Sequence, residues 1–337
     1  MKRYQYLVAV MAAALLLAGH VTESWAQRRP NTRFAPYSSV SFGVGSSHYY
    51  GDLAGYRKFI RSTYIMPRWN VGLGYTRQFT PHFAARATFT WARISGDDYT
   101  FNKNNIDKNL IQYARNLHFR NDLKEFALTG IYNFVEDGRN SDARARFTPY
   151  LFGGLALVAH SPEARTPAAS DNNNDAESER RWVKLQPLNT EGQGQPGRDK
   201  PYSLVTVGIP VGIGARYRLN ESFDVGVEIG YRYTFTDYLD DVGGGTYPDP
   251  TTLQGPATYM SDRRAQRIAA RKKNGPDRYA PLETLFQNGS PETQAAIQDA
   301  LTSPARGADG ILRDGYVLTN FSIRYIIPGK IKCPPIK

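Results

Sequence analysis

The chain has 337 residues, 41% of them apolar, and a formal charge of +11 at pH 7, enough material for one large domain or two smaller ones. Beyond the first thirty positions it has no run of eighteen apolar residues, which excludes a helical membrane protein. Its single cysteine, Cys333, rules out an internal disulfide and leaves a thiol that is either free or joined to another chain.

The N-terminus starts with Lys2 and Arg3, continues through an apolar stretch from Leu7 to Ala18, and reaches small residues at Ser24 and Ala26. This is the layout of an export signal over residues 1–26, cleaved before Gln27. Strands follow, each read from a strict period of two. In 38–50, Val40, Phe42 and Val44 oppose Ser41, Gly43 and Gly45. A loop over 51–66 leads to 67–79, where Trp69, Val71, Leu73 and Tyr75 share one face. Thr80, Pro81 and His82 form a tight turn into 83–94, with Phe83, Ala85, Ala87, Phe89 and Trp91 on the apolar side. A polar loop spans 95–122, and 123–134 carries Phe126, Leu128, Tyr132 and Phe134 on its apolar side, with Glu125 pointing the other way. After the charged connection Glu136 to Arg146, the facing of 148–160 is ambiguous: Leu151, Leu155 and Leu157 compete with Tyr150, Phe152 and Val158.

Residues 161–201 are rich in Asn, Asp, Pro, Gly and Gln and read as loop. The clearest hairpin is 202–219 with 223–234. Residues opposite one another in an antiparallel pair share a face, so the three-residue turn Asn220, Glu221 and Ser222 sets Leu219 against Phe223 and Arg218 against Asp224, predicting an ion pair. Residues 235–313 are mostly loop, with one helix expected from the Ser261–Asp262 cap to Gly275 and another from Ser290 and Pro291. The last strand is 314–327.

Connection lengths then alternate, about 16, 28, 41 and 80 residues on one side against 3, 13 and 3 on the other, as in a transmembrane barrel with short periplasmic turns and long external loops. The expected fold is therefore all-β, an eight-stranded antiparallel transmembrane β-barrel, whose lumen side chains would fill. Alternation alone does not say which face is inside, since a soluble barrel buries the apolar set. A mixed-sign polar face (Arg86, Glu125, Arg216, Arg218, Asp224, Glu228, Arg232, Arg324) suits an ion-paired lumen. Aromatics near strand ends (Trp69, Phe79, Phe83, Trp91, Phe134, Phe223, Tyr231, Tyr233, Tyr316, Tyr325) suit interfacial girdles. With the export signal, these place the chain in outer-membrane lipid.

No catalytic constellation stands out, and the five histidines (His20, His48, His82, His118, His160) are scattered, so neither an enzyme nor a cofactor is expected. Asp237, Asp240 and Asp241 could supply oxygen ligands to a hard cation, but a hydrogen-bonded loop is the preferred reading and no metal is expected. Arg263, Arg267 and Arg271 fall four apart on the expected helix, where like charges repel unless an anion or partner is present. On an external loop, lipopolysaccharide phosphates are the available anion, against a simply solvated basic face. An exported barrel meets no nucleic acid.

Several stretches, in order along the chain, resemble the PorG-like outer-membrane barrel family of the type IX (Por) secretion system: YYGDLAG at 49–55, ARNLHFRNDLKEF at 114–126, LQPLNTEGQG at 185–194, the 202–219 strand, YRYTFTDYLDDV at 231–242, MSDRR at 260–264 and KCPP at 332–335. The segment between Gly275 and Gly310 is expanded relative to that family. The resemblance implies a non-enzymatic barrel that associates with a periplasmic ring of the PorK lipoprotein and PorN type, and it makes Thr236, Asp237, Tyr238, Asp240 and Asp241 an ordered rim motif. An even strand number puts the short turns, the tail and Cys333 in the periplasm, where Cys333 could be tethered to a partner. The alternative is a stand-alone barrel whose external loops bind a surface ligand or lipopolysaccharide, or act as an adhesin.

Overall fold

A computed structural model describes residues 34–54, 65–167, 180–307 and 313–327. The export signal and Cys333 lie outside them. Eight long strands form the barrel: β1 (Tyr37–Tyr50), β2 (Arg68–Gln78), β3 (Phe83–Asp97), β4 (His118–Asn133), β5 (Phe147–Ala159), β8 (Val205–Arg218), β9 (Phe223–Thr234) and β10 (Gly315–Ile327). Each pairs antiparallel with its neighbours, β1 joins β10, and β3–β4 pairing completes the ring, so no barrel edge is left open.

Register follows side-chain parity. Arg218 lies opposite Asp224, and Leu219 N–H donates to Phe223 O at 3.0 Å. The Thr80–His82 turn repeats that geometry, with Phe79 N–H to Phe83 O at 3.0 Å. On β5, Leu151 and Leu155 face outward while Tyr150, Phe152 and Val158 are buried in the lumen, which resolves the ambiguous strand.

The outward set forms a continuous apolar band that includes Phe321, Leu155, Ile213 and Leu73, each more than 60% exposed. In water such a band would greatly exceed the few hundred Å² that soluble monomers leave uncovered. Lipid removes that penalty. Trp69 and Trp91 meet edge to face at 5.1 Å near the outer end, and Phe223 packs on Tyr325 at 5.4 Å near the inner end. Tyr316 departs from the expected girdle. Its even position on β10 turns it into the lumen, where it is fully buried. Among the described residues no helix is long and apolar enough to cross a membrane.

Outside the bilayer the structure adds to the expected pattern. β3 and β4 run past Ile94 and begin before Leu123, so their hairpin projects above the barrel. A short hairpin, β6 (Pro162–Arg165) and β7 (Trp182–Lys184), extends from β4 in a stretch read as loop. These strands are too short and too polar to show a period. The outer loops hold helices α1 (Asp98–Asn102), α2 (Leu110–Arg115), α3 (Ala257–Ser261), α4 (Tyr279–Asn288) and α5 (Pro291–Thr302). Ser290 caps α5, its side chain accepting from Thr293 N–H. The helix expected from Ser261–Asp262 to Gly275 is absent: α3 ends at Ser261. Instead the Asp262 carboxylate accepts from Arg264 N–H at 3.0 Å and pairs with the same residue's guanidinium, a local turn that competes with helix.

Candidate functional site

Two polar clusters remain once the lipid-facing band is set aside, one inside the barrel and one above it. Inside, glycines and small side chains leave room for ion pairs. Arg86 pairs with Glu228, whose other donor is Tyr150 Oη at 2.5 Å, and Arg86 also lies over the Phe152 ring. Glu125 accepts from Tyr316 Oη at 2.6 Å and stands 3.4 Å from Arg232. At the periplasmic end, Arg216 donates to both Asp137 oxygens at 2.8 and 2.9 Å, and Tyr37 Oη donates to Asp137 at 2.7 Å.

The expected Arg218–Asp224 pair does not form. Asp224 is held by Arg144 at 3.0 Å, with Arg216 at 3.8 Å, while Arg218 donates to the Asp142 and Arg144 carbonyls at 2.7 and 2.8 Å. Arg218 sits at the last strand position, beside the 134–146 turn, and its long side chain reaches that turn's carbonyls. Arg144 enters from that turn, whose insertion no strand period could reveal. The turn thereby becomes a floor, anchored by buried Asp137 and Arg144, with Glu136, Arg139, Asp142 and Arg146 exposed.

Above the barrel, the rim motif is the hub of a cap built by all four outer connections. Asp241, at φ +72°, accepts from Thr190 Oγ1, from Tyr202 Oη at 2.7 Å and from Arg306 at 3.3 Å. Arg306 also reaches Glu191 at 3.2 Å and Ser261 O at 3.2 Å. The backbone of Leu239 bonds Asn121 and Asp314, at 2.7 and 2.8 Å. Arg115 grips Asp98 through two bonds at 2.9 and 2.8 Å and donates to Asp52 O and Arg306 O.

Tyr49 Oη lies 2.7 Å from an Asp240 oxygen and 2.6 Å from an Asp314 oxygen. One hydroxyl proton cannot serve both carboxylates, so one carboxyl supplies a proton of its own. Burial, reinforced by neighbouring acids, holds both well above the usual carboxylate range. Burial likewise raises Asp241 to about 6, against the lowering influence of Arg306, and half-buried Asp237 to about 6. Asp240 and Asp241 are taken up by different partners, and the described residues contain no group of three or more metal-ligating side chains placed for an ion.

The arginine stripe is dispersed. Arg263 is buried and donates to Gln266 at 3.0 Å and Arg165 O at 2.8 Å. Arg267 pairs with Asp277 at 2.6 Å, and Arg271 lies on a turn. The histidines occupy separate elements: His82 stacks on Tyr132 at 5.6 Å, His160 on Tyr202 at 6.2 Å, and His118 accepts from Arg165 N–H at 3.0 Å. The cap network went unread in the sequence, although its residues, apart from Asp98, Arg306 and Asp314, fall within the stretches that carry the resemblance.

The model of the outer membrane protein β-barrel domain family matches residues 9–260, about three quarters of the chain. The chain belongs to that family. No curated protein matches by sequence. Among solved structures, the chain is similar to Ail, the attachment invasion locus protein of Yersinia pestis, at 9% identity and TM-score 0.33, covering 87% of this chain and 100% of that one. A major outer membrane protein from Thermus thermophilus gives 11% identity and TM-score 0.36, over 87% and 100%. The outer membrane enzyme PagL gives 10% and 0.27, over 85% and 97%. Family membership, the closed barrel and its apolar belt agree on the outer membrane as its location.

Proposed function

We propose that this family member is a non-enzymatic assembly or docking component of a type IX protein secretion machine, engaging periplasmic ring subunits of the PorK lipoprotein and PorN type through its periplasmic turns and C-terminal tail. The observation that carries this reading is the floor: a thirteen-residue turn of charged residues, pinned by Asp137–Arg216 and Arg144–Asp224, presents Glu136, Arg139, Asp142 and Arg146 to the periplasm in a fixed arrangement. A rigid charged surface binds a partner without an ordering cost. The side-chain-filled lumen argues against conduction as the main role.

The test is affinity capture from outer membranes with identification of co-purifying chains. Charge reversal at Glu136, Arg139, Asp142 and Arg146, or removal of the chain after Pro328, is expected to abolish capture of ring subunits and secretion while the barrel still inserts. Unchanged capture and secretion in both variants would overturn the proposal. Capture should survive replacement of 280–302 by a flexible linker, which leaves Arg278 and Arg306 in place. A second reading, a surface-ligand or lipopolysaccharide binder or adhesin, draws on a cleft of about 480 Å³ at the outer rim beside Phe235, Asp237 and Arg313. Loss of surface binding without loss of secretion, on narrowing that cleft by Ser203→Trp, would favour it.

A further inference from the structure

Below the cap, the barrel interior holds five guanidinium groups, Arg86, Arg144, Arg216, Arg232 and Arg324, against four carboxylates, Glu125, Asp137, Asp224 and Glu228, none more than 14% exposed, among the described residues. Arg86 is matched to Glu228, Arg232 to Glu125, Arg216 to Asp137 and Arg144 to Asp224. Arg324 is left over. It is only 8% exposed, and its cross-strand neighbour on β9 is Asp224, which Arg144 and Arg216 already engage. However the pairs are drawn, one positive charge remains in excess.

An uncompensated charge inside a barrel ringed by lipid is costly, and arginine does not shed its proton to escape. Arg324 lines a lumen cavity of about 40 Å³ together with Thr90, Asn320, Ser322 and the Arg86–Glu228 pair, so two guanidinium groups face one carboxylate there. By the measure that one water needs roughly 10–15 Å³, this cavity has room for a small ion and a water or two, but not for an organic acid. Its wall also holds unused polar capacity: Arg86 Nε and the Asn320 side-chain oxygen have no hydrogen-bond partner. If the Asn320 amide is turned over, it offers an N–H to the same space.

We propose that this cavity is a binding site for one small monovalent anion of halide type, held between Arg324 and Arg86 and completing the charge balance of the lumen. Its position three residues from the periplasmic end of β10 makes periplasmic chloride the available occupant. The site is independent of the secretion reading and belongs to the barrel itself.

The full-length mature protein, purified in detergent, is melted by circular dichroism while chloride replaces gluconate at constant ionic strength. The melting temperature should rise by roughly a few degrees and saturate, as binding to the folded state alone requires. Arg324→Gln removes the excess charge and should flatten the response. Asn320→Asp changes one polar atom and supplies the missing carboxylate. It should melt higher than the parent in gluconate and show no chloride dependence. Should Arg324→Gln fail to insert, Asn320→Asp decides alone. Bromide-soaked crystals should give an anomalous peak beside Arg324. A flat response in the parent, an equal response in Asn320→Asp, or the absence of that peak would overturn the proposal.

Discussion

Arg306→Met is the sharpest probe of the outer cap. Arg306 is 2% exposed and is the cation shared by Glu191 and Asp241, both almost wholly buried, while also holding the Asp241 and Ser261 carbonyls. Methionine keeps much of the volume but leaves two buried acids without their cation, a change that costs about 3–5 kcal/mol. At about 1.4 kcal/mol per factor of ten, opening of the cap should become roughly a hundredfold to a few thousandfold more frequent. The pH dependence has a definite sign. Asp241 titrates near 6 in the folded cap against an ordinary 3.8, so the folded state holds this proton more tightly and gains stability as pH falls from about 6 towards 3.8. That difference amounts to about 3 kcal/mol, fully present as a cost above pH 6. Removing Arg306 takes away the main influence lowering this pKa, so the variant should be more damaged at pH 7.5 than at pH 5. Hydrogen exchange read by mass spectrometry should accelerate in peptides covering 186–202, 236–243 and 257–266, with strands 205–218 unchanged. Equal exchange in parent and variant, or simultaneous loss of protection in those strands, would refute the idea of a cap that opens as its own unit.

Three further outcomes are expected. Asp224→Asn should leave buried Arg144 held by carbonyls alone, without its counter-charge, and expose the 134–146 floor to protease in inside-accessible vesicles, whereas Arg218→Gln, which loses only carbonyl contacts, should leave cleavage near the parental rate. Phe321→Arg, at the most exposed apolar position, should weaken folding into lipid vesicles by about 2–4 kcal/mol in a urea titration; an unaltered midpoint would contradict a lipid-facing band. A Cβ at Gly154 would lie 2.0 Å from Leu128 O, while one at Gly153 meets nothing closer than 3.8 Å, so Gly154→Ala should block formation of the heat-modifiable folded band on gels and Gly153→Ala should not.

The sequence determined the barrel because its information is local and periodic. Val205 to Tyr217 on one parity and Thr206 to Arg218 on the other define a strand by themselves, and equal parity across a three-residue turn sets the register at Leu219 and Phe223. Alternation of long and short connections then fixes which ends share a side of the membrane. Parity also placed Arg86, Glu125, Glu228 and Arg324 on one surface, but not their partners. Arg218 lies opposite Asp224 in register, yet a side chain as long as arginine reaches several acceptors. Only the tertiary structure shows Arg144 arriving from a turn eighty positions away to take the carboxylate. Tyr316 shows that parity outranks an aromatic's position near a strand end. The helix expected beneath the arginine stripe is absent for a related reason: helical spacing has meaning only if a helix forms, and the Asp262–Arg264 turn stops it at Ser261. The rim motif TFTDYLDDV, legible beforehand as an ordered, hydrogen-bonded loop but without its partners, acquires its role from the groups that surround it. Tyr49, Thr190, Tyr202, Arg306 and Asp314 come from distant parts of the chain and meet there because the closed barrel brings its outer ends together.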